Sequence, residues 1–284
     1  MVTNNFEYHR AESIDDAITL MVKHGMEAKL LAGGHSLLPA MKLRLNQPGV
    51  LIDIRRLPDF RYIKQEGHEL IIGAGATHGD IASSALVQRT MAMLSEAADL
   101  IGDVQVRNVG TLGGSLAHAD PSADWPAVML AADAVIRTKG PKGERRIKAA
   151  DFFTGFFETA LAENELITAI HIPVLGPGAA ASYQKFMQPA SRFAIVGCAV
   201  KVTIARGLCE DIRVAFTGLS ENAFRATNIE QALGGKALTE ANIEQAVADP
   251  VGDRMVLSDH FASEEYRTHL ARVYAKRALL AAAG

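Results

Sequence analysis

Paired glycines set the strongest constraint on this chain. Gly33-Gly34 stands directly after the apolar run Leu30-Leu31-Ala32, and Gly113-Gly114 sits in "VGTLGGSLAHADPSAD", with Gly110 just before it. Glycine serves where backbone takes positive φ or comes very close to another group. A strand, a glycine turn and a helix start, as in "KLLAGGHSLLPAMKLRL", can present main-chain amides to an anion. On that stretch alone, a tight turn that binds nothing is an equal reading. The second loop adds hydroxyls from Thr111 and Ser115, and such a loop can wrap phosphate oxygens with consecutive amides. Neither loop is a GxxxxGK[ST] P-loop, and neither is a clean GxGxxG within a single βαβ unit. Separate glycine loops in separate small units point to one long ligand held between lobes, and a dinucleotide has that length.

Periodicity places both loops. Helix signals open at Ser13, with Asp15 and Asp16 in the first turn, an apolar face of Ile14, Ile18, Met21 and Val22, and Gly25 as the stop. "AKLLA" and "VLIDI" read as buried strands, giving a small β-α-β-α-β unit with the first loop after its second strand. "ELIIGAGATHGDIA" opens a second unit: a strand to Ile72, a glycine turn and a short helix capped near Thr77. Helix is predicted through "QRTMAMLSEAADLIG", then a long loop over "DVQVRNVGTLGGSLAHADPSAD", a helical turn at "WPAVMLA", and strands at "AVIRT" and "ELITAIHIPV". "LGPGAAAS" (175–182) is the linker candidate. Beyond it, "SYQKFMQ", "FAIVGCAVKVTIA" and "CEDIRVAFTGL" read as a three-stranded meander turning at Arg206-Gly207, followed by helices over 228–234, 239–248 and 263–282.

Bulk properties narrow the function classes. A net charge of −3 with no Lys/Arg block argues against a nucleic-acid surface. The start, "MVTNNFEYHR", has no apolar core like a signal peptide's, and no apolar run is long enough to span a bilayer, so the expected location is the cytoplasm. The two cysteines, Cys198 and Cys209, cannot supply the four thiolates of an ordinary iron–sulfur cluster. The nine histidines lack a metal-site spacing, so no metal is expected on this chain.

Single residues carry bland readings beside sharp ones. Asp120-Pro121 fits turn chemistry. Asp124 fits either an N-cap on the "WPAVMLA" helix or a hydrogen bond to ligand hydroxyls. His35 could donate to phosphate or simply fill the loop, and Ser36 fits a helix cap as well as a ligand. Trp125 reads as core. No nucleophile–base pair or acid–base dyad emerges.

"AGGHSLLPAMKLRL" together with "VRNVGTLGGSLAHADPSAD" resembles the FAD-binding medium subunit of the molybdenum hydroxylases, the group of xanthine dehydrogenase and aerobic carbon monoxide dehydrogenase. The resemblance covers nearly the whole chain. It implies an α+β fold: a two-lobed FAD-binding domain of p-cresol methylhydroxylase type over residues 1–175 (lobes about 1–56 and 57–175), then a C-terminal domain over 176–284 with a three-stranded antiparallel sheet and a three-helix bundle. Carried over by motif, the first loop implies FAD contacts from Lys29, Leu30, Leu31, Ala32, Gly33, Gly34, His35, Ser36 and Leu37. The second implies Thr111, Leu112, Gly113, Gly114, Ser115 and Asp124. Ile101 and Gly102 match a pair lining the flavin, Ile167 a residue touching FAD, and Lys185 a lysine near the flavin that could stabilise negative charge on its reduced form. Ser115 stands where many relatives carry Asn. Phe193 is an aromatic that could flank the isoalloxazine.

The resemblance further implies non-covalent FAD and no metal on this chain. Molybdenum cofactor and [2Fe–2S] clusters would sit on large and small partner subunits, in a dimer of heterotrimers. This chain would pass electrons from the clusters to an acceptor such as oxygen, a quinone or NAD. An alternative is a self-contained FAD-dependent reductase similar to UDP-N-acetylenolpyruvoylglucosamine reductase. Its second loop usually has a proline before the Gly-Thr, where this chain has "RNVGTLGG".

Overall fold

The computed structural model describes residues 2–284. The chain opens with β1 (Glu7–Arg10), α1 (Ile14–His24), β2 (Ala28–Leu31), α2 (Leu37–Lys42) and β3 (Val50–Asp53). The strands run parallel in the order β1-β3-β2, so β3 is central, and it is buried along its whole length. Parallel neighbours need crossovers, which α1 and α2 supply. The helix signals act as read: the Ser13 hydroxyl accepts from the Asp16 amide, and Gly25 ends α1 at φ +53.

The second unit begins with β4 (Ile63–Glu66) and β5 (Glu69–Gly73). Short helices follow: α3 (His78–Ser83), α4 (Ala85–Thr90), α5 (Ala92–Leu100), α6 (Val104–Arg107), α7 (Leu112–His118) and α8 (Asp124–Ala131). The sheet is completed by β6 (Val135–Gly140) and β7 (Gly143–Lys148) and, after a small hairpin of β8 (Phe153–Gly155) and β9 (Glu158–Thr159), by β10 (Leu166–Pro173). Its order is β4-β5-β10-β6-β7, antiparallel throughout, with β10 at the centre.

The last part comprises β11 (Ala179–Met187), β12 (Ala194–Ala205), β13 (Leu208–Thr217), β14 (Phe224–Arg225), α9 (Thr227–Leu233), α10 (Glu240–Ala246) and α11 (Glu264–Ala283). Its sheet, β11-β12-β13-β14, separates two cores. Ala199 and Ala215 belong to the core shared with the second unit, while Cys198, Val200 and Val202 face the C-terminal helices. Strand residues alternate between faces, so a strand covered on both sides reads as a continuous apolar run, as "AIVGCAV" does. Small residues let the layers approach: α8 packs on β12 and β13, and α11 lays Ala271, Ala275 and Ala278 against the sheet. A Leu at one of these alanines would overpack the layer at about 1–3 kcal/mol.

Several local expectations change. The helix over "QRTMAMLSEAADLIG" is broken at Met91 (φ −160°, ψ 74°), which is fully buried between α4 and α5. Core packing there outweighs propensity. The "loop" over 103–124 contains α6 and α7. Glycines lower helix propensity by about 1 kcal/mol each, which hides α7 in the sequence. The linker is shorter than 175–182, because Ala179 already belongs to β11. A two-residue strand, β14, adds a fourth member to the meander. The edge strands β4 and β7 are too polar to show an apolar pattern.

Candidate functional site

The glycine loops meet backbone to backbone. A Cβ on Gly33 would lie 2.6 Å from the Val109 carbonyl oxygen and 2.7 Å from Gly110 Cα. Gly33 is therefore required by the close approach of the first loop to the second. Gly34 is required by its φ of +74°.

The loops differ in what their amides do. None of the amides of residues 32–37 donates to a protein acceptor among the described residues. The Ser36 hydroxyl, at the start of α2, makes no capping bond. In the second loop the amides are committed: Leu112 to Ala76 O (2.9 Å), Gly113 to Ala74 O (2.9 Å), Gly114 to Thr111 Oγ1 (3.2 Å) and Ser115 to Thr111 O (3.1 Å). The sequence expectation that consecutive amides of Gly113 and Gly114 wrap phosphate is thus corrected. These glycines serve packing: a Cβ on Gly113 would meet Ala74 Cβ at 2.6 Å, and one on Gly114 would meet Thr111 Oγ1 at 2.8 Å. What the second loop offers a ligand is the Thr111 amide, the Thr111 hydroxyl proton and the Ser115 hydroxyl, all without protein acceptors.

Between the loops lies a cavity of about 510 Å³, bounded by both lobes and by residues 191–193 of the loop joining β11 to β12. Of residues 29–37, all line it except Leu31, which packs with Met41 and Leu51. Ile101, Gly102, Thr111, Gly113, Gly114 and Ser115 line it, as do Asp124 and Ile167. Leu112 does not, because it is the fully buried first residue of α7. Lys185 does not either: its side chain is sealed, with Nζ donating to Asp124 Oδ2 at 2.8 Å and to Leu100 O at 3.1 Å.

Asp124 occupies the first turn of α8 rather than its N-cap, which is Ala123. One carboxylate oxygen takes the Lys185 ammonium and the other the Tyr183 hydroxyl. Burial pushes the Asp124 carboxyl up, against the pull of Lys185 and Tyr183. Glu165, also at the wall, is held by Arg145 (2.7 and 2.8 Å), Thr138 (2.5 Å) and the Ala162 amide (2.7 Å). Burial would raise its carboxyl, but these donors outweigh it and hold it low. Asp120 caps the Ser122 amide at 2.8 Å, and burial raises its carboxyl.

The sequence reading missed His78, Asp120 and Glu165 as wall residues, and the reach of Ser191 and Arg192 beside Phe193 over the far end. His78 carried a signal only in its place after the Thr77 cap. The others are brought in by sheet register and chain reversal. The wall is rich in hydrogen-bond donors around the first loop, and its carboxylates Asp124 and Glu165 are already paired. It is built to bind a long ligand with an anionic middle, and FAD, with its pyrophosphate, fits that description.

Comparison with known proteins agrees. Residues 4–175 match the family model of the FAD binding domain in molybdopterin dehydrogenase, and residues 181–282 match that of the CO dehydrogenase flavoprotein C-terminal domain. The carbon monoxide dehydrogenase medium chain of Hydrogenophaga pseudoflava is 40% identical over 282 residues, covering 99% of this chain and 98% of the relative. The glyceraldehyde dehydrogenase medium chain of Sulfolobus acidocaldarius is 34% identical over 278 residues, covering 98% of each. Among solved structures, the Hydrogenophaga pseudoflava carbon monoxide dehydrogenase lacking the Mo-pyranopterin moiety of its cofactor superposes with a TM-score of 0.96, at 42% identity over 99% of this chain and 98% of that one.

Proposed function

The chain belongs to the FAD-binding medium-subunit family of the molybdenum hydroxylases, as an oxidoreductase subunit, and on that premise we propose that it relays electrons from [2Fe–2S] clusters on a small partner subunit to an external acceptor. Substrate oxidation would belong to a large subunit holding molybdenum cofactor. The assembly would be a dimer of heterotrimers in the cytoplasm. No helix among the described residues is long and apolar enough to cross a membrane.

The observation that carries this reading is the division of labour in the cavity wall. The free amides of residues 32–37 and the Thr111 and Ser115 donors suit a pyrophosphate. Asp124 and Glu165 are already paired, which suits a wall that binds and orients rather than one that attacks a substrate. Bound FAD supplies the capacity to accept and release electrons. The protein's residues hold it: the first loop grips the anionic middle, Ile101 and Gly102 form one flank, and Ile167 another. Residues 191–193 overhang the end nearest the C-terminal sheet, where Phe193 is still 43% exposed and can meet a partner. Medium chains of similar length serve enzymes named for carbon monoxide and for glyceraldehyde, which supports placing substrate choice on the large subunit.

The test is omission of subunits. Substrate added anaerobically to the full complex should bleach the flavin, and leaving out either partner should abolish bleaching. Reduction of the FAD-loaded chain alone by an organic hydroxylase substrate would replace this reading with a self-contained oxidoreductase.

A further inference from the structure

His78 opens α3 directly after the Thr77 cap and is only 5% exposed. Its Nδ1 lies 3.1 Å from the indole nitrogen of Trp125, which is fully buried. An indole N–H can only donate, so Nδ1 must accept, and the neutral ring carries its proton on Nε2. Burial, with His35 and Arg107 nearby, lowers the ring's pKa to about 4, so the ring is neutral at physiological pH.

Nε2 points the other way. It lies against Gly110, where an added Cβ would be 2.8 Å away, and Gly110 is the residue that meets Gly33 across the loops. His78 lines the cavity, and Nε2 has no protein partner among the described residues yet is not sealed off. A buried N–H left without an acceptor costs stability, so this one calls for an acceptor in the cavity. Its neighbours there, the Thr111 amide and hydroxyl and the amides of residues 32–37, are donors as well. A patch of donors without acceptors suits an anionic oxygen.

We propose that His78 presents its Nε2–H to the pyrophosphate of FAD as a neutral donor, with Trp125 acting as the positioning residue that fixes the tautomer. The proposal rests on the family's cofactor occupying this cavity, and it adds a ligand contact outside both glycine loops. Trp125, which reads in the sequence as plain core, gains a second role.

The experiment uses the full chain with ¹⁵N-labelled histidine, titrated with FAD. The expected result is a His78 ring with unprotonated Nδ1 and a protonated Nε2 whose resonance moves on FAD binding. Trp125→Phe should mix the tautomers. By FAD titration, His78→Phe should raise Kd about tenfold, and His78→Gln, which keeps an N–H donor, should recover most of that. The ³¹P signals of bound FAD should differ between wild type and His78→Phe. An Nδ1–H tautomer, or FAD binding that leaves the ring resonances unchanged, overturns the proposal while the FAD reading stands. Failure of the wild-type chain to take up FAD overturns both. The ring spectrum of the wild-type chain decides the matter even if a variant misfolds.

Discussion

Lys185 of β11 and Asp124 of α8 bind each other across the boundary between the C-terminal sheet and the cavity wall, Nζ to Oδ2 at 2.8 Å, with side-chain exposures of 0% and 5%. The sequence match put Lys185 beside the flavin. In the structure its Nζ donates to Asp124, a residue of the cavity wall, with Tyr183 completing the cluster.

Removing one member of such a pair leaves an uncompensated buried charge. Lys185→Met should therefore destabilise the chain by about 3–5 kcal/mol, read by chemical denaturation. The double variant Lys185→Met/Asp124→Leu should regain much of that loss, because a matched apolar pair needs no solvation. A single variant within about 1 kcal/mol of wild type would show that the pair is not dry.

Gly33→Ala tests the contact between the loops. Its Cβ would meet backbone atoms at 2.6 and 2.7 Å, which cannot swing aside as a side chain can. The expected result is a loss of about 1–3 kcal/mol in stability and weaker FAD binding in titration. Gly176→Ala is the control: nothing lies within 4 Å of its added Cβ, and stability should match or slightly exceed wild type.

Acid should expose His78. Its folded pKa, about 4, lies below the ordinary 6.5, so unfolded chains take up a proton that the folded chain refuses. The contribution is neutral above pH 6.5; stability falls as pH drops below 6.5, and the loss is complete near pH 4. A shift of that size corresponds to roughly 3 kcal/mol. Asp53 acts lower. Burial opposes ionisation there, but Arg55 and Tyr8 hold its carboxyl near 2, so its stabilisation is present above 3.8 and lost as pH falls toward 2. Thermal unfolding of His78→Gln should accordingly show a shallower decline than wild type between pH 6.5 and 4, and equal slopes would contradict the assignment.

FAD should be held without a covalent bond. Cys198 and Cys209 are buried in the C-terminal core, away from the cavity. Acid precipitation should leave the yellow colour in the supernatant, and flavin retained on the pellet would point to attachment through a wall histidine such as His35 or His118.

Much of this architecture was legible in local signals. Ser13, Gly25 and Thr77 act as caps or stops where the sequence placed them, and the apolar runs at 50–54, 166–173 and 194–200 became central strands. α7 was not legible, because Gly113 and Gly114 read as loop, and only the approach of Ala74 explains why a helix there needs glycine. For the site, the sequence showed which residues cluster but not which amides remain free. That depends on whether Ala74 and Ala76 carbonyls are within reach, a matter of tertiary register. The Lys185–Asp124 and His78–Trp125 pairs join residues 61 and 47 apart in the chain, beyond any local pattern.

The electron-relay claim is tested most directly by a complex whose medium subunit folds but holds no flavin, prepared with Gly33→Val and checked for assembly. Substrate is added anaerobically, cluster bleaching is followed by absorbance, and reduction of the external acceptor is followed in parallel. The account predicts that the clusters are still reduced by substrate while acceptor reduction falls at least a hundredfold. Acceptor reduction at the wild-type rate in the flavin-free complex would contradict it.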